Sequence, residues 1–332
     1  MPRHGTPINA CLPTARPVPG GVLLAATFLI LLMLGGCATL SPLTEQELAG
    51  LPRQHELSDT PFFPQEIHQC GPAALATLLQ SNGVAATPEQ LVPAVYLPAR
   101  EGSLQLELIA ATRRHGRIPY VLRPRMADLL QEVAAGNPVL VLQNLGLNWL
   151  PRWHYAVVVG YDLAAGQVIL RSGTYPRMLT PLATFEHTWA RGDRWALLAL
   201  PPERLPATAE ESRWLTATAS FERLGDWDTA LTAYHTALTA WPQSELAALG
   251  LGNSQYALGD KTQAAATFQA LTQQHPRSAV AFNNLAQALL ELGRLDEAER
   301  AAQQAVNLGG PLRETFAATL QAIREAIAAP AR

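Results

Sequence analysis

Along the chain the spacing of apolar residues changes character twice. From Cys70 to Gln80 apolar side chains recur at helical spacing (Ala73, Leu75, Leu78, Leu79) until Asn82-Gly83 stops them. Pro88 to Tyr96 and Ser103 to His115 predict two further helices, the second with Ser103 as its N-cap and Gly116 as its C-terminal stop. Ile118 to Leu122 predicts a short strand, and Met126 to Ala135 a helix ended by Gly136-Asn137-Pro138. Beyond that point Val139 to Gln143, Trp153 to Tyr161, Gln167 to Arg171 and Arg194 to Leu200 are runs rich in Val, Leu and aromatic residues, with a turn at Ala164-Ala165-Gly166. Helices come first and an antiparallel sheet second, which argues for an α+β layer over residues 62–200 rather than a parallel βαβ sheet.

The second change follows Pro201-Pro202 and Pro206, which punctuate residues 201–210 as a linker. Leu224-Gly225, Leu258-Gly259 and Leu292-Gly293 then recur with a period of 34, as do Ala230, Ala264 and Ala298. Pro242 and Pro276 keep the same phase, and Tyr234 and Phe268 supply a large apolar group at one position. This pattern resembles tetratricopeptide repeats over residues 211–325 and implies an all-α solenoid whose concave face takes a protein or peptide partner. Because repeat stability is local, residues 211–325 are expected to fold separately from the layer before them.

The first 61 residues read differently. Arg3 and Arg16 precede the uncharged run Val22 to Leu34, which is too short to span a bilayer and suits the apolar region of a secretory signal. The run ends in Leu34-Gly35-Gly36-Cys37, which resembles the lipobox of bacterial lipoproteins. That resemblance implies removal of residues 1–36, acylation of Cys37 and a membrane anchor; Ala38 in the next position points to the outer membrane, facing the periplasm. Residues 37–61 read as a mostly polar tether with a short helix near Glu45 to Leu51.

Composition narrows the function. Hydrophobic residues make up 48% of the 332 and charged residues 15%, an ordinary globular balance, and the formal net charge of −3 argues against nucleic acid as a partner. Of three cysteines, Cys11 and Cys37 lie in or at the end of the leader, so Cys70 is a lone thiol in a chain expected to meet an oxidising compartment. Cys70-Gly71-Pro72-Ala73 sits where a loop becomes a helix, and the positive helix end there is expected to lower the thiol pKa. A base must come from elsewhere, and His154 opens Trp153-His154-Tyr155-Ala156-Val157-Val158-Val159-Gly160, a strongly apolar strand.

These two motifs, in this order, resemble those of the papain-like double-glycine cysteine peptidases, the bacteriocin-processing type, and the lipobox and repeats are similar to a lipoprotein subgroup of that family. The resemblance implies a papain-like α+β fold, Cys70 as nucleophile and His154 as general base and acid, on a peptide or protein substrate cut after Gly-Gly. It also implies a glutamine ahead of the cysteine as oxyanion donor. Pro64 holds the usual place, so Gln65 is the favoured candidate, with Gln69 a weaker one and the Cys70 amide as second donor. The family's third member, an Asp or Asn one strand later, has no counterpart between Asp162 and Glu186. Asp162 itself lies roughly 26 Å along the same strand from His154. Ser172, or failing it Thr174, takes the orienting role.

No metal or organic cofactor is implied: His68 has no second thiol or nearby histidine cluster to complete a site. Trp149 and Trp153 flank His154 and read either as walls of a substrate groove or as ordinary core, the core reading being favoured. The expectation is thus a membrane-anchored cysteine peptidase whose repeats recruit substrate or a partner. Two rivals stand beside it: a non-catalytic scaffold built on the same fold, and acyl transfer to an amine instead of water.

Overall fold

The computed structural model describes residues 43–64 and 69–329. Cys11, Cys37 and Gln65 lie outside the described residues, as does His68. Residues 43–329 belong to one compact unit.

Its first part is built round an antiparallel sheet in the order β2-β7-β3-β4-β5-β6, with β1 paired to β4 off that path. In chain order the elements are α1 (Glu45–Leu48), β1 (Gln54–Glu56), α2 (Cys70–Ser81), α3 (Pro88–Val95), α4 (Gln105–Arg114), β2 (Ile118–Val121), α5 (Met126–Ala134), β3 (Val139–Asn144), β4 (Trp153–Asp162), β5 (Gln167–Ser172), β6 (Tyr175–Pro181), α6 (Leu182–Ala190) and β7 (Ala196–Leu200). Both faces of the sheet are covered, so the central strands carry near-continuous apolar runs instead of a polar alternation. Along β4 the alternation still sorts the side chains. Tyr155, Val157 and Val159 join Leu75, Leu78 and Leu79 of α2 in one core, while Ala156 and Val158 join Leu129, Leu130 and Trp189 in another.

Several expectations change in three dimensions. Residues 43–61 are not a free tether: Leu43, Leu48 and Leu51 pack on the core, and β1 extends the sheet by pairing with β4. Ser103 does not cap α4; the helix starts one turn position later, with Leu104 as an N-cap lacking a side-chain bond. The sequence pattern also left out β6 and α6. Along β6 six of seven residues are at the surface, so an edge strand with little burial leaves little apolar signal.

The second part is a row of helices: α7 (Glu211–Glu222), α8 (Trp227–Ala240), α9 (Glu245–Ala257), α10 (Lys261–Gln274), α11 (Ala279–Glu291), α12 (Leu295–Leu308) and α13 (Arg313–Ala328). Its 34-residue period has a direct cause. Gly225, Gly259 and Gly293 take φ of 75°, 89° and 73°, left-handed values that glycine adopts without a Cβ penalty and that turn each hairpin. Ala230, Ala264 and Ala298 are fully buried where the paired helices touch. Asp226 and Asp260 cap α8 and α10 through the backbone N–H of Thr229 and Gln263.

The two parts share one core. Trp214, Phe221, Ala230 and Tyr234 belong to the same buried cluster as Val139, Ala156 and Leu198 of the sheet. The stretch 201–210, expected as a linker, is a seam rather than a tether. The buried Glu132 carboxylate accepts from Thr208 N at 2.7 Å, Thr208 Oγ1 at 2.6 Å and Asn137 Nδ2 at 2.7 Å. Tyr120 Oη donates to the Thr208 carbonyl at 3.2 Å and accepts from Glu210 N at 3.0 Å. Hydrogen bonds that satisfy a buried carboxylate fix the approach angle of α7, because any shift would leave that charge unpaired.

Candidate active site

Cys70 is the first residue of α2, and Gln69 before it makes no side-chain bond to the helix end. The following residue must be small. A Cβ built on Gly71 would lie 2.2 Å from Ser103 Oγ and 2.6 Å from Ser103 Cβ, so only glycine lets the start of α2 settle against the 103 loop. The Cys70 sulfur accepts from the backbone N–H of Tyr155, of Gly71 and of Cys70 itself. The Tyr155 amide belongs to the residue directly after His154, so α2 and β4 meet at the sulfur.

His154 opens β4 opposite Gln143, and Gln143 Nε2 donates to Thr188 Oγ1 at 2.6 Å. The imidazole Nε2 lies 2.8 Å from Ser172 Oγ, at the end of β5. Of the two orienting candidates, Ser172 is therefore the one placed against the ring. Thr174 is exposed in the turn towards β6. Asp162 is engaged elsewhere, accepting from Ala165 N at 2.9 Å in the next turn. With Nε2 taken by the serine, Nδ1 is the ring nitrogen left to receive a proton from a thiol.

The electrostatics differ from the sequence expectation. Burial pushes the Cys70 thiol up, and the three backbone amides offset this only in part. Burial also lowers the His154 imidazole to about 4. At neutral pH both partners are uncharged. The helix end does supply amides to the sulfur, as expected, but desolvation outweighs them. No carboxylate stands where Ser172 does to favour imidazolium, and a hydroxyl contributes a hydrogen bond without a charge.

The surroundings contain residues the sequence did not single out. Tyr155 Oη donates to the Ser103 carbonyl at 3.2 Å, and its ring meets Trp195 edge-on at 6.0 Å. Both contacts brace the wall of the site. Arg171 sends its guanidinium to the carbonyls of Ser58, Thr60 and Pro176, which ties β5 to the segment ahead of Cys70. In the sequence only Gly71 carried a visible signal, a glycine fixed directly behind a helix-start cysteine. Trp149 and Trp153 are not core: they are 78% and 56% exposed. With Leu147, Leu150 and Tyr175, also exposed, they give the end of the sheet bearing His154 and Ser172 an apolar rim. Among the described residues no group of three or more His, Cys, Asp or Glu gathers to hold a metal.

Comparison with known proteins agrees with this division of the chain. Residues 57–194 match the Peptidase_C39 like family, and residues 220–279 and 249–311 match the tetratricopeptide repeat. Among solved structures, one described as a C39-like peptidase from Bacillus anthracis is 19% identical, with 43% of this chain and 96% of that chain covered and a TM-score of 0.38. PcrH from Pseudomonas aeruginosa is 25% identical, over 36% of this chain and 92% of its own, with a TM-score of 0.34. The Yersinia enterocolitica type III secretion chaperone SycD, in complex with a peptide of the translocator YopD, is 19% identical over 35% and 93%, with a TM-score of 0.33. No curated protein matches the chain. An α+β layer matching the C39-like peptidases, followed by tetratricopeptide helices, makes this a peptidase-like protein with repeats.

Proposed function

We propose that the protein is a cysteine peptidase of the cell envelope, acting on peptide or protein substrates that the repeats recruit. One observation carries this reading: the Cys70 sulfur accepts a hydrogen bond from the amide that follows His154, and the imidazole Nε2 lies 2.8 Å from Ser172 Oγ. Because thiol and imidazole are both neutral, attack and proton transfer go together. The thiol proton passes to His154 as sulfur bonds the substrate carbonyl carbon, and the oxyanion is stabilised by the Cys70 amide, with Gln65 as second donor. Collapse breaks the C–N bond, and His154 returns the proton to the leaving amine. Water then attacks the thioester, giving its proton through His154 to the departing sulfur. The lipobox at Cys37 supports an anchor, with Ala38 favouring the outer membrane.

The test is hydrolysis by the purified full chain of peptides with and without a Gly-Gly pair, alongside labelling by a thiol-directed probe. Expected are turnover and labelling by the wild type, loss of both in Cys70→Ala, and loss of turnover in His154→Ala. Products bearing an amine in place of the acid would assign acyl transfer instead. Absence of turnover and an alkylation rate indifferent to His154→Ala would leave the scaffold reading, which the uncharged state of the pair favours. For the anchor, Cys37→Ala should leave the precursor uncleaved and unlabelled by lipid.

A further inference from the structure

Where α4 and β2 of the sheet layer meet α7, the first repeat helix, the seam opens into a cavity of about 370 Å³. Its lining has three characters. Ile109, Pro119, Val121 and Ala217 are apolar, Ser212, Thr216 and Ser220 carry hydroxyls, and three arginines, Arg113, Arg213 and Arg223, line the same space. Arg213 is satisfied: its Nε lies 2.6 Å from Glu210 Oε2, and its Nη1 is 3.4 Å from the Val121 carbonyl. Arg113 is not, and Arg223 is exposed. Arg113 Nε is buried with no hydrogen-bond partner, and neither Arg113 nor Arg223 forms an ion pair among the described residues.

Burial, and after it the like charges of Arg223 and Arg114, lower the Arg113 pKa. A buried donor left unpaired beside a like charge is unfavourable for folding, so its persistence at a cavity wall points to an acceptor supplied from outside. Guanidinium presents donors in a planar fork that suits carboxylate and phosphate oxygens. The apolar wall decides between them, since an inorganic anion would leave Ile109 and Val121 facing water.

We propose that this cavity binds the carboxylate of an apolar organic acid, its oxygens between Arg113 and Arg223 and its hydrocarbon against Ile109 and Val121. The proposal does not depend on peptidase activity. Such a carboxylate has two sources, the C-terminus of a peptide ending in an apolar residue or a free short-chain acid.

Calorimetric titration of the full chain in chloride buffer of constant ionic strength separates them, with N-acetyl-leucine, N-acetyl-leucine amide, hexanoate and inorganic phosphate as probes. Saturable binding of N-acetyl-leucine, lost by tenfold or more in Arg113→Gln and in the more exposed Arg223→Gln, and absent for the amide, is the expected result. Binding of N-acetyl-leucine alone would assign a peptide terminus, and equal binding of hexanoate a free acid. Thermal melts supply a second readout: without ligand, Arg113→Gln should melt at or above the wild-type temperature, because it removes an unpaired charge. No saturable binding of either carboxylate, phosphate binding as tightly as N-acetyl-leucine, or a lower melting temperature for ligand-free Arg113→Gln would each overturn the proposal.

Discussion

Between residues 211 and 325 helices pack mainly on their neighbours in sequence, and the same few positions do the same work in each repeat: a left-handed glycine in the turn and a buried alanine at the crossing, joined in the first two repeats by a large ring, Tyr234 and Phe268. In the sheet layer the partners are distant. Ile118 lies opposite Leu200, Gln54 opposite Asp162, and Arg171 reaches back to the carbonyls of Ser58 and Thr60. The repeat half therefore announces itself as a period, whereas the sheet layer is assembled by pairings that leave no period behind. The seam shows where the contrast ends. The first repeat is locally coded like the others, yet Trp214 and Phe221 complete the core of the sheet.

The sharpest way to break the comparison is to cut it. A fragment beginning at Glu211 should unfold or self-associate, because it loses the sheet residues that share a core with Trp214, Leu215 and Phe221, whose full burial is worth about 2–3 kcal/mol each. A monomeric, cooperatively melting fragment by circular dichroism and ultracentrifugation would show that the repeats stand alone. Next in size, Glu132→Ala should lower stability by roughly 3 kcal/mol in urea titration, since it strands the Thr208 and Asn137 donors. Glu132→Gln, which keeps an acceptor, should lose less.

Gly71→Ala tests how finely the sheet layer is fitted. The added methyl meets Ser103, so α2 must shift, and probe labelling of Cys70 should slow by about tenfold while the melting temperature of the repeats holds. Pairing it with Ser103→Gly should restore part of the loss.

A smaller effect is expected at the orienting serine. Ser172→Asp places a negative charge beside His154, raises the imidazole from its value of about 4 and should speed thiol labelling at neutral pH. Ser172→Ala should slow turnover several-fold, the weight of one hydrogen bond of about 1 kcal/mol. The same group sets a pH dependence of folding. With the folded value near 4 and the ordinary value 6.5, the unfolded chain binds the extra proton between those limits. Stability should therefore rise with pH across that window and fall as pH drops towards 4. Ser172→Asp should flatten this slope. Smallest of all, Gly225→Ala should cost about 1 kcal/mol in the first hairpin through its left-handed φ and leave Cys70 labelling unchanged.

What the sequence by itself determined is whatever depends on near neighbours: the helix behind Cys70, the strand behind His154, the 34-residue period and the order of helices before sheet. Spacing between residues a few positions apart is a property of the chain before it folds. Tertiary structure decided the rest. The tether and the linker looked detachable because polar and proline residues dominate them, yet Leu43, Leu48, Thr208 and Glu210 find partners far along the chain. Trp149 and Trp153 read as core by composition and lie at the surface, because Trp149 sits in the connection between β3 and β4 and Trp153 at the very end of β4. The protonation of the site was decided last. The helix end favours thiolate by direction alone, but how far burial opposes it depends on how closely α2, β4 and the 103 loop exclude water from the sulfur and the imidazole, and that exclusion exists only once all three have packed.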